Sequence, residues 1–337
     1  MVRSMRARWV SVVLLGGIAL LGVMALSVIS GPELLDLPRV FGSGRSSRAA
    51  RLLLLEVRLP RVVLGALAGA ALGAVGASLQ ALLRNPLADP YVLGTSGGAA
   101  LGGTVALVFT GSHALNAMLP IGAFLGALAA TVFVYGIARA SRAHSVTGVL
   151  LAGIVVNAFA AACITLIKLL VTATQAQELL FWLVGSIGYE SWATLGMLGI
   201  YVCIGVGALG LLTGRMNLLS LGDTAAMHLG VNLNRVNWAI FMATSLVVGA
   251  VVAFCGMIGF VGLVVPHAVR LLVGPDHRLV LPASAFAGAI FLVLADTLAR
   301  VMFRLLGTEA PVGAVTAVIG CPVFLYLLLR RGAAAIL

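Results

Sequence analysis

The chain has 337 residues, 61% hydrophobic and only 9% charged, with 41 glycines and a mean hydropathy of +1.15. Apolar runs far longer than any soluble core element needs make it an all-α polytopic membrane protein, read as a single transmembrane domain over 1–337. The formal charge of +11 comes from 20 arginines and one lysine, Lys168, spread through short loops, a pattern that suits lipid headgroups and topology and argues against nucleic acid.

The first apolar run, "WVSVVLLGGIALLGVMALSVI", is longer than the roughly 7–15 residues of a signal-peptide core and no A-x-A-like site follows, so it reads as a first span near 9–29. Further spans lie near 62–83, 93–110, 118–138, 147–170, 193–213, 280–299 and 312–329. The stretch 239–274 would be about 54 Å long as one helix, too long for one crossing and short for two. Parity decides. Arg3, Arg6 and Arg8 at one end and Arg330 and Arg331 at the other put both termini on the cytoplasmic side, which requires an even number of crossings. The stretch therefore crosses twice, bending around Gly256, Gly259, Gly262 and Pro266, and about ten transmembrane helices are expected, the eighth short.

Loop charges follow this scheme with two exceptions. Arg84, Arg139, Arg142, Arg215, Arg235, Arg270 and Arg278 fall in or beside inner connections, and the outer connections near 111–117, 171–191 and 260 carry no Lys or Arg. The outer segments 30–61 and 300–311 do carry arginines, among them Arg58, Arg61 and Arg300. Outer arginines make physical sense against an anionic partner, whether lipid or an acidic protein surface; solvation, snorkelling and, for Arg300, pairing with Asp296 four residues earlier compete with that reading.

No G-x-x-x-x-G-K-[ST] is present, so the chain does not bind ATP through a P-loop. Asp296 alone of the acids lies well inside a span, which disfavours proton coupling. Cys163, Cys203, Cys255 and Cys321 sit singly in apolar runs, far from metal-ligand spacing. The "GTSGG" at 94–98 satisfies G-x-S-x-G, and Ser96 with His267 as base is a remote reading as an intramembrane serine protease; small residues for close helix packing are the blander one. His113 and Lys168 are outer-edge candidates for meeting an anionic substrate, though a structural role fits each better.

Three stretches are more specific. In "RNPLADPYVLGTSGGA", Pro86 and Pro90 shape the turn from the second span to the third. In "RMNLLSLGDTAAMHLGVNLNR", Asp223 can cap a short helix ending near Gly230, and Asn232 to Arg235 can start another. The third is "GFVGLVVPHAVRLLVGPDHRLVLP". In this order, and with "APVGAVTAVIGCPVFLYLL" near the end, they resemble the FecCD permease family, the membrane subunits of ABC importers for ferric siderophores, haem and cobalamin.

The resemblance implies an inverted repeat of spans 2–5 and 7–10, a homodimer with the pathway at its interface, two copies of a cytoplasmic ABC ATPase, and a periplasmic substrate-binding protein. It implies no cofactor bound directly, ATP with magnesium being used by the ATPase, and a place in the bacterial inner membrane. Coupling to the ATPase falls on Leu219, Ser220, Leu221, Gly222, Asp223, Thr224, Ala225, Ala226, Met227, His228, Leu229 and Gly230. Docking of the binding protein falls on Arg58, Arg61 and Arg300, and a cytoplasmic gate on Asn85, Leu87, Val146 and Thr147, where Val146 departs from the polar residue expected. The function implied is a permease, not an enzyme, for an iron complex such as a ferric siderophore or haem, with cobalamin as the alternative.

Overall fold

In lipid every backbone polar group must be bonded inside the protein, and the computed structural model, which describes residues 5–31, 36–42, 44–110, 115–140 and 146–334, accordingly contains helices and no strand among those residues. In chain order they are α1 (Met5–Ile29), α2 (Leu37–Phe41), α3 (Arg45–Leu52), α4 (Leu59–Leu82), α5 (Thr95–Thr110), α6 (Leu115–Ala140), α7 (Val146–Lys168), α8 (Ala173–Val184), α9 (Trp192–Leu219), α10 (Asp223–His228), α11 (Leu233–Cys255), α12 (Val261–Val273), α13 (His277–Leu306) and α14 (Val312–Ala334). Seven segments, containing α1, α4, α6, α7, α9, α11 and α13, are long and apolar enough to cross a bilayer, and the shorter apolar stretches of α5, α12 and α14 bring the set to ten. His113, Arg3 and Arg142 lie outside the described residues, as do the side chains of Arg139, Val146, Thr147, Arg330 and Arg331.

The ambiguous stretch 239–274 resolves into α11 and the short α12, broken at 256–260. Gly256 sits at φ 68°, a left-handed conformation that a side chain would oppose, and a Cβ there would strike the Trp182 carbonyl. Gly262 and Pro266 fall inside α12 rather than at the bend. The helix expected to start at Asn232–Arg235 does start there, but as the long α11 rather than a second short helix; Asn232 caps it, its side chain accepting from Arg235 N at 3.1 Å.

Helix neighbours repeat in an inverted pattern. α4 packs on α13 and α12, as α11 packs on α6 and α5; α5 meets α6 and α7, as α12 meets α13 and α14; and α4 meets α11 across the centre. Close approach rests on small residues. Gly98 and Gly102 of α5 face Gly122 and Gly126 of α6, while Gly69 and Gly73 of α4 face Ser284 and Gly288 of α13, so close that a Cβ on any of these glycines would meet the opposing helix. α4 is buried along most of its length and forms the centre of the bundle.

The second span begins earlier than its apolar run. Residues 46–82 form one continuous helical path, and 53–58 within it is a π-helical turn. Its cause is Pro60, which has no N–H to donate and whose ring crowds the preceding turn. Leu59 N reaches back five residues to Leu54 O, and the carbonyl of Leu55, where the next such bond would fall, is taken by the Trp192 indole at 3.1 Å. The outer connection read at 171–191 holds α8, started by a reciprocal capping box between Thr172 and Gln175.

Replacing Gly102 by Val is expected to lower the thermal stability of the solubilised chain by about 1–3 kcal/mol through overpacking. Gly17→Val, whose added Cβ meets nothing within 4 Å, is the control expected to leave it unchanged in the same unfolding assay.

Candidate functional site

At one end of the bundle, the C-terminus of α1 exposes carbonyls that no helical N–H can reach. Three arginines cover them. Arg58 donates to Val28 O at 3.0 Å and Ile29 O at 2.9 Å, Arg300 to Ser27 O at 3.1 Å and Ser30 O at 2.9 Å, and Arg304 to Gly31 O at 3.0 Å. Cations at a helix C-terminus also complement its dipole. Beneath them, Asp296 is shared: its Oδ1 lies 2.8 Å from Arg61 Nη2 and its Oδ2 2.9 Å from Arg300 Nε. Arg61 also pairs with Glu309 in the connection before α14 and stands 5.3 Å from the centre of the Tyr189 ring.

The sequence reading of Arg58, Arg61 and Arg300 as a docking set meets this geometry directly. All three gather at one end, but they are only 7%, 5% and 4% exposed and their donors point inward. Arg58 and Arg300 are spent on α1 and Asp296. Arg61 has an acidic partner that reaches solvent, the Glu309 side chain being 35% exposed. The pairing of Arg300 with Asp296 expected from their four-residue spacing is present.

At the other end, α10 stands between Gly222 and Gly230, at φ 104° and 82°. Asp223 does not cap it. Gly222 holds the N-cap position, and the Asp223 carboxylate pairs with Arg84, which follows α4 in a left-handed conformation at φ 47°. Leu219 and Ala226 anchor the element in the bundle, while Leu221, Met227 and Leu229 project from it 54–61% exposed. Next to Arg84, Asn85 Oδ1 accepts from Leu87 N at 2.9 Å, a tight polar turn; Val146 and Thr147 open α7. Asn217, near the end of α9, donates to Asp276 Oδ1 at 2.7 Å and accepts from His277 N at 2.8 Å, fastening the α12–α13 connection to the same face. Partial burial opposes ionisation of Asp276, but hydrogen bonds from Asn217 and Arg278 N and the Arg278 charge outweigh it and hold the carboxyl below its usual range.

Between these ends, the two backbone breaks meet. Tyr91, in the 3₁₀ turn Pro90–Leu93, accepts Ile258 N on its hydroxyl at 2.6 Å; its carbonyl accepts Asn157 Nδ2 at 2.7 Å, and Asn157 Oδ1 accepts Gly97 N at 3.1 Å. Ser96 Oγ donates to the same Tyr91 carbonyl at 3.1 Å, which gives this hydroxyl a structural role at the start of α5. A cavity of about 570 Å³ opens beside this clamp, walled mostly by apolar side chains, among them Ile154, Met257 and Phe260. Tyr91 and Asn157 were missed in the sequence; the only signal was the proline-bounded "ADPYVLG", which marked a shaped turn without saying what it touched.

A ten-span bundle with two inverted halves, a covered break in each, and a projecting short helix at one membrane face defines a transporter's membrane subunit. The profile of the FecCD transport family matches residues 17–330, and the chain belongs to that family, the membrane permease subunits of ABC importers, which carry no catalysis of their own. It is 41% identical over 286 residues to the hemin transport system permease protein HmuU of Yersinia pestis, covering 82% of this chain and 83% of that one. It is also 41% identical over 286 residues to the cobalamin import system permease protein BtuC of Halobacterium salinarum, covering 84% and 74%. Among solved structures, an inward-facing conformation of an ABC transporter assigned to the metal-chelate type matches with a TM-score of 0.82 at 28% identity, covering 96% of this chain and 99% of that one.

Asp296→Asn is expected to cost about 3–5 kcal/mol in thermal unfolding, because it removes the buried carboxylate from Arg300 and leaves Arg61 with only the partly exposed Glu309. Glu309→Gln, at a partly exposed position, is expected to cost no more than about 1 kcal/mol in the same measurement.

Proposed function

We propose that the chain is the permease of an importer in a bacterial inner membrane, with both termini cytoplasmic, that carries an iron complex such as a ferric siderophore or haem to the cytoplasm. The observation that carries the reading is α10 and its flanks: three large apolar side chains are exposed there, Leu221 just before Gly222, and Met227 and Leu229 between Gly222 and Gly230. Such a projection needs a cover. A cleft in a cytoplasmic ATPase, which alone uses ATP and magnesium, is the cover this family supplies. Two ATPase copies then serve a homodimer of this chain with the pathway between protomers. The exposed apolar faces of α7, with Leu151, Val155 and Phe159, support a second copy as neighbour, although lipid meets the same chemistry.

Coupling runs through Leu219 to Gly230. When the ATPases close, α10 moves as a short rigid piece, and the Arg84–Asp223 pair transmits the motion to the end of α4 and the adjoining turn at Asn85 and Leu87. With Val146 and Thr147 at the start of α7, that turn forms the cytoplasmic gate. On the outer side, a periplasmic binding protein docks through its carboxylates, which compete with Glu309 for Arg61, while Arg58 and Arg300 keep the rim in shape.

Cobalamin is the second reading, favoured by the equal identity to a hemin and a cobalamin permease. The deciding experiment reconstitutes the permease with its ATPase and binding protein in proteoliposomes and offers haem, a ferric siderophore, ferric citrate and cobalamin. ATP-dependent accumulation of an iron complex is expected; accumulation of cobalamin alone would replace the first reading with the second, and uptake without the ATPase would sink both.

Two variants probe the named residues. The Leu221→Asp, Met227→Asp double variant is expected to lose co-purification with the ATPase while the permease stays folded. Glu309→Gln is expected to tighten binding-protein docking several-fold and Arg61→Gln to weaken it; equal affinities across wild type and both variants, measured at two salt concentrations, would remove Arg61 from docking.

A further inference from the structure

On the membrane face that carries α10, a groove of about 690 Å³ lies between the first turns of α1, the last turns of α9 and the first turns of α13. Its walls are Met5, Val10, Gly210, Leu281 and Pro282, and its polar side chains include Arg6, Arg278 and Thr213, with Trp9 alongside. Both guanidinium groups are exposed. Among the described residues neither makes an ion pair. Nearby, Arg8 donates to Val273 O at 2.7 Å, and Asp276 accepts from Asn217 and from Arg278 N on Oδ1 while its charge offsets part of the Arg278 charge.

We propose that this groove is a binding site for one anionic phospholipid, whose phosphate lies between Arg6 and Arg278 and whose acyl chain runs along the apolar wall. Position, charge and shape argue for a lipid over a soluble anion. The groove opens at the end of spanning helices, where headgroups stand, and an apolar wall beneath a pair of cations matches a phosphate with a hydrocarbon tail. Trp9, half-exposed at the same height, has the amphipathic ring favoured at that depth. Two exposed cations set against one nearby carboxylate, Asp276, leave a net positive charge at the groove that favours a net negative headgroup over a zwitterionic one. The occupant fills the space between α1 and the ends of α9 and α13, next to the element proposed to receive the ATPase, so it ties the loosely packed first helix to the coupling face. The proposal does not depend on what the transporter carries.

The test is native mass spectrometry of the full-length chain titrated with phosphatidylglycerol or phosphatidylcholine, with inorganic phosphate as competitor. Wild type is expected to retain one phosphatidylglycerol in preference to phosphatidylcholine, with affinity falling about fivefold for Arg6→Gln or Arg278→Gln and roughly 25-fold for both. The lysine pair Arg6→Lys, Arg278→Lys should restore most of it, and Arg39→Gln with Arg48→Gln, on the opposite face, should change nothing. Equal retention by the double glutamine variant, equal retention of phosphatidylcholine, or displacement by millimolar phosphate would each overturn the assignment. Thermal unfolding of each variant separates loss of the site from loss of the fold.

Discussion

The constraint on which the structure depends is that backbone broken inside a membrane must find its hydrogen bonds within the protein. Two breaks stand out among the described residues, after α4 and after α11, and a hydrogen bond joins them. The Tyr91 hydroxyl takes the Ile258 amide across from the second break, and Asn157 of α7 closes the first from the side. The second break is stitched further, with Ser186 N bonded to Cys255 O at 2.9 Å and Gly313 N to Gly185 O at 3.1 Å. Glycine-lined contacts between α5 and α6 and between α4 and α13 then bring the helices close enough for these short bonds to form. A cavity sits at this crossing because irregular backbone and open space occur together there.

The clustered arginines obey a related rule. Their gathering at one end of the bundle follows from the end of α1, whose carbonyls need donors and whose dipole favours cations. One buried carboxylate, Asp296, serves Arg61 and Arg300 at once, and Glu309 supplies the further charge that two guanidinium groups require. The cluster is thus first a means of closing that end of the bundle, and any recognition role is built on that.

Much of this was legible in the sequence, for identifiable reasons. Span count and the double crossing at 239–274 follow from hydrocarbon thickness and charge parity, both properties of long segments that one residue does not overturn. The short helix was legible from Asp223 near its start and Gly230 near its end, although Asp223 pairs with Arg84, 139 positions away in sequence, instead of capping. α8 was not legible: its helical register is short and its capping box was overlooked in a stretch read only for missing charge. The inward turn of Arg58, Arg61 and Arg300 was illegible because a charge pattern reports which face a residue occupies and says nothing of where its side chain turns. The Tyr91–Asn157 clamp joins residues 66 apart, and no local periodicity encodes it.

Little of α1 is buried against the rest of the chain, yet both its ends are fastened: Arg8 to Val273 O at one face and the Ser30 carbonyl to Arg300 at the other. From residue 8 to residue 30 an α-helix rises about 33 Å, close to the roughly 30 Å of a bilayer's hydrocarbon layer. The first helix is therefore pinned at both ends across a span that a bilayer accommodates, with tilt taking up the difference. Strain from a thinner or thicker bilayer would reach the rest of the chain through these two fastenings, one at the end of α12 and the other in the arginine cluster.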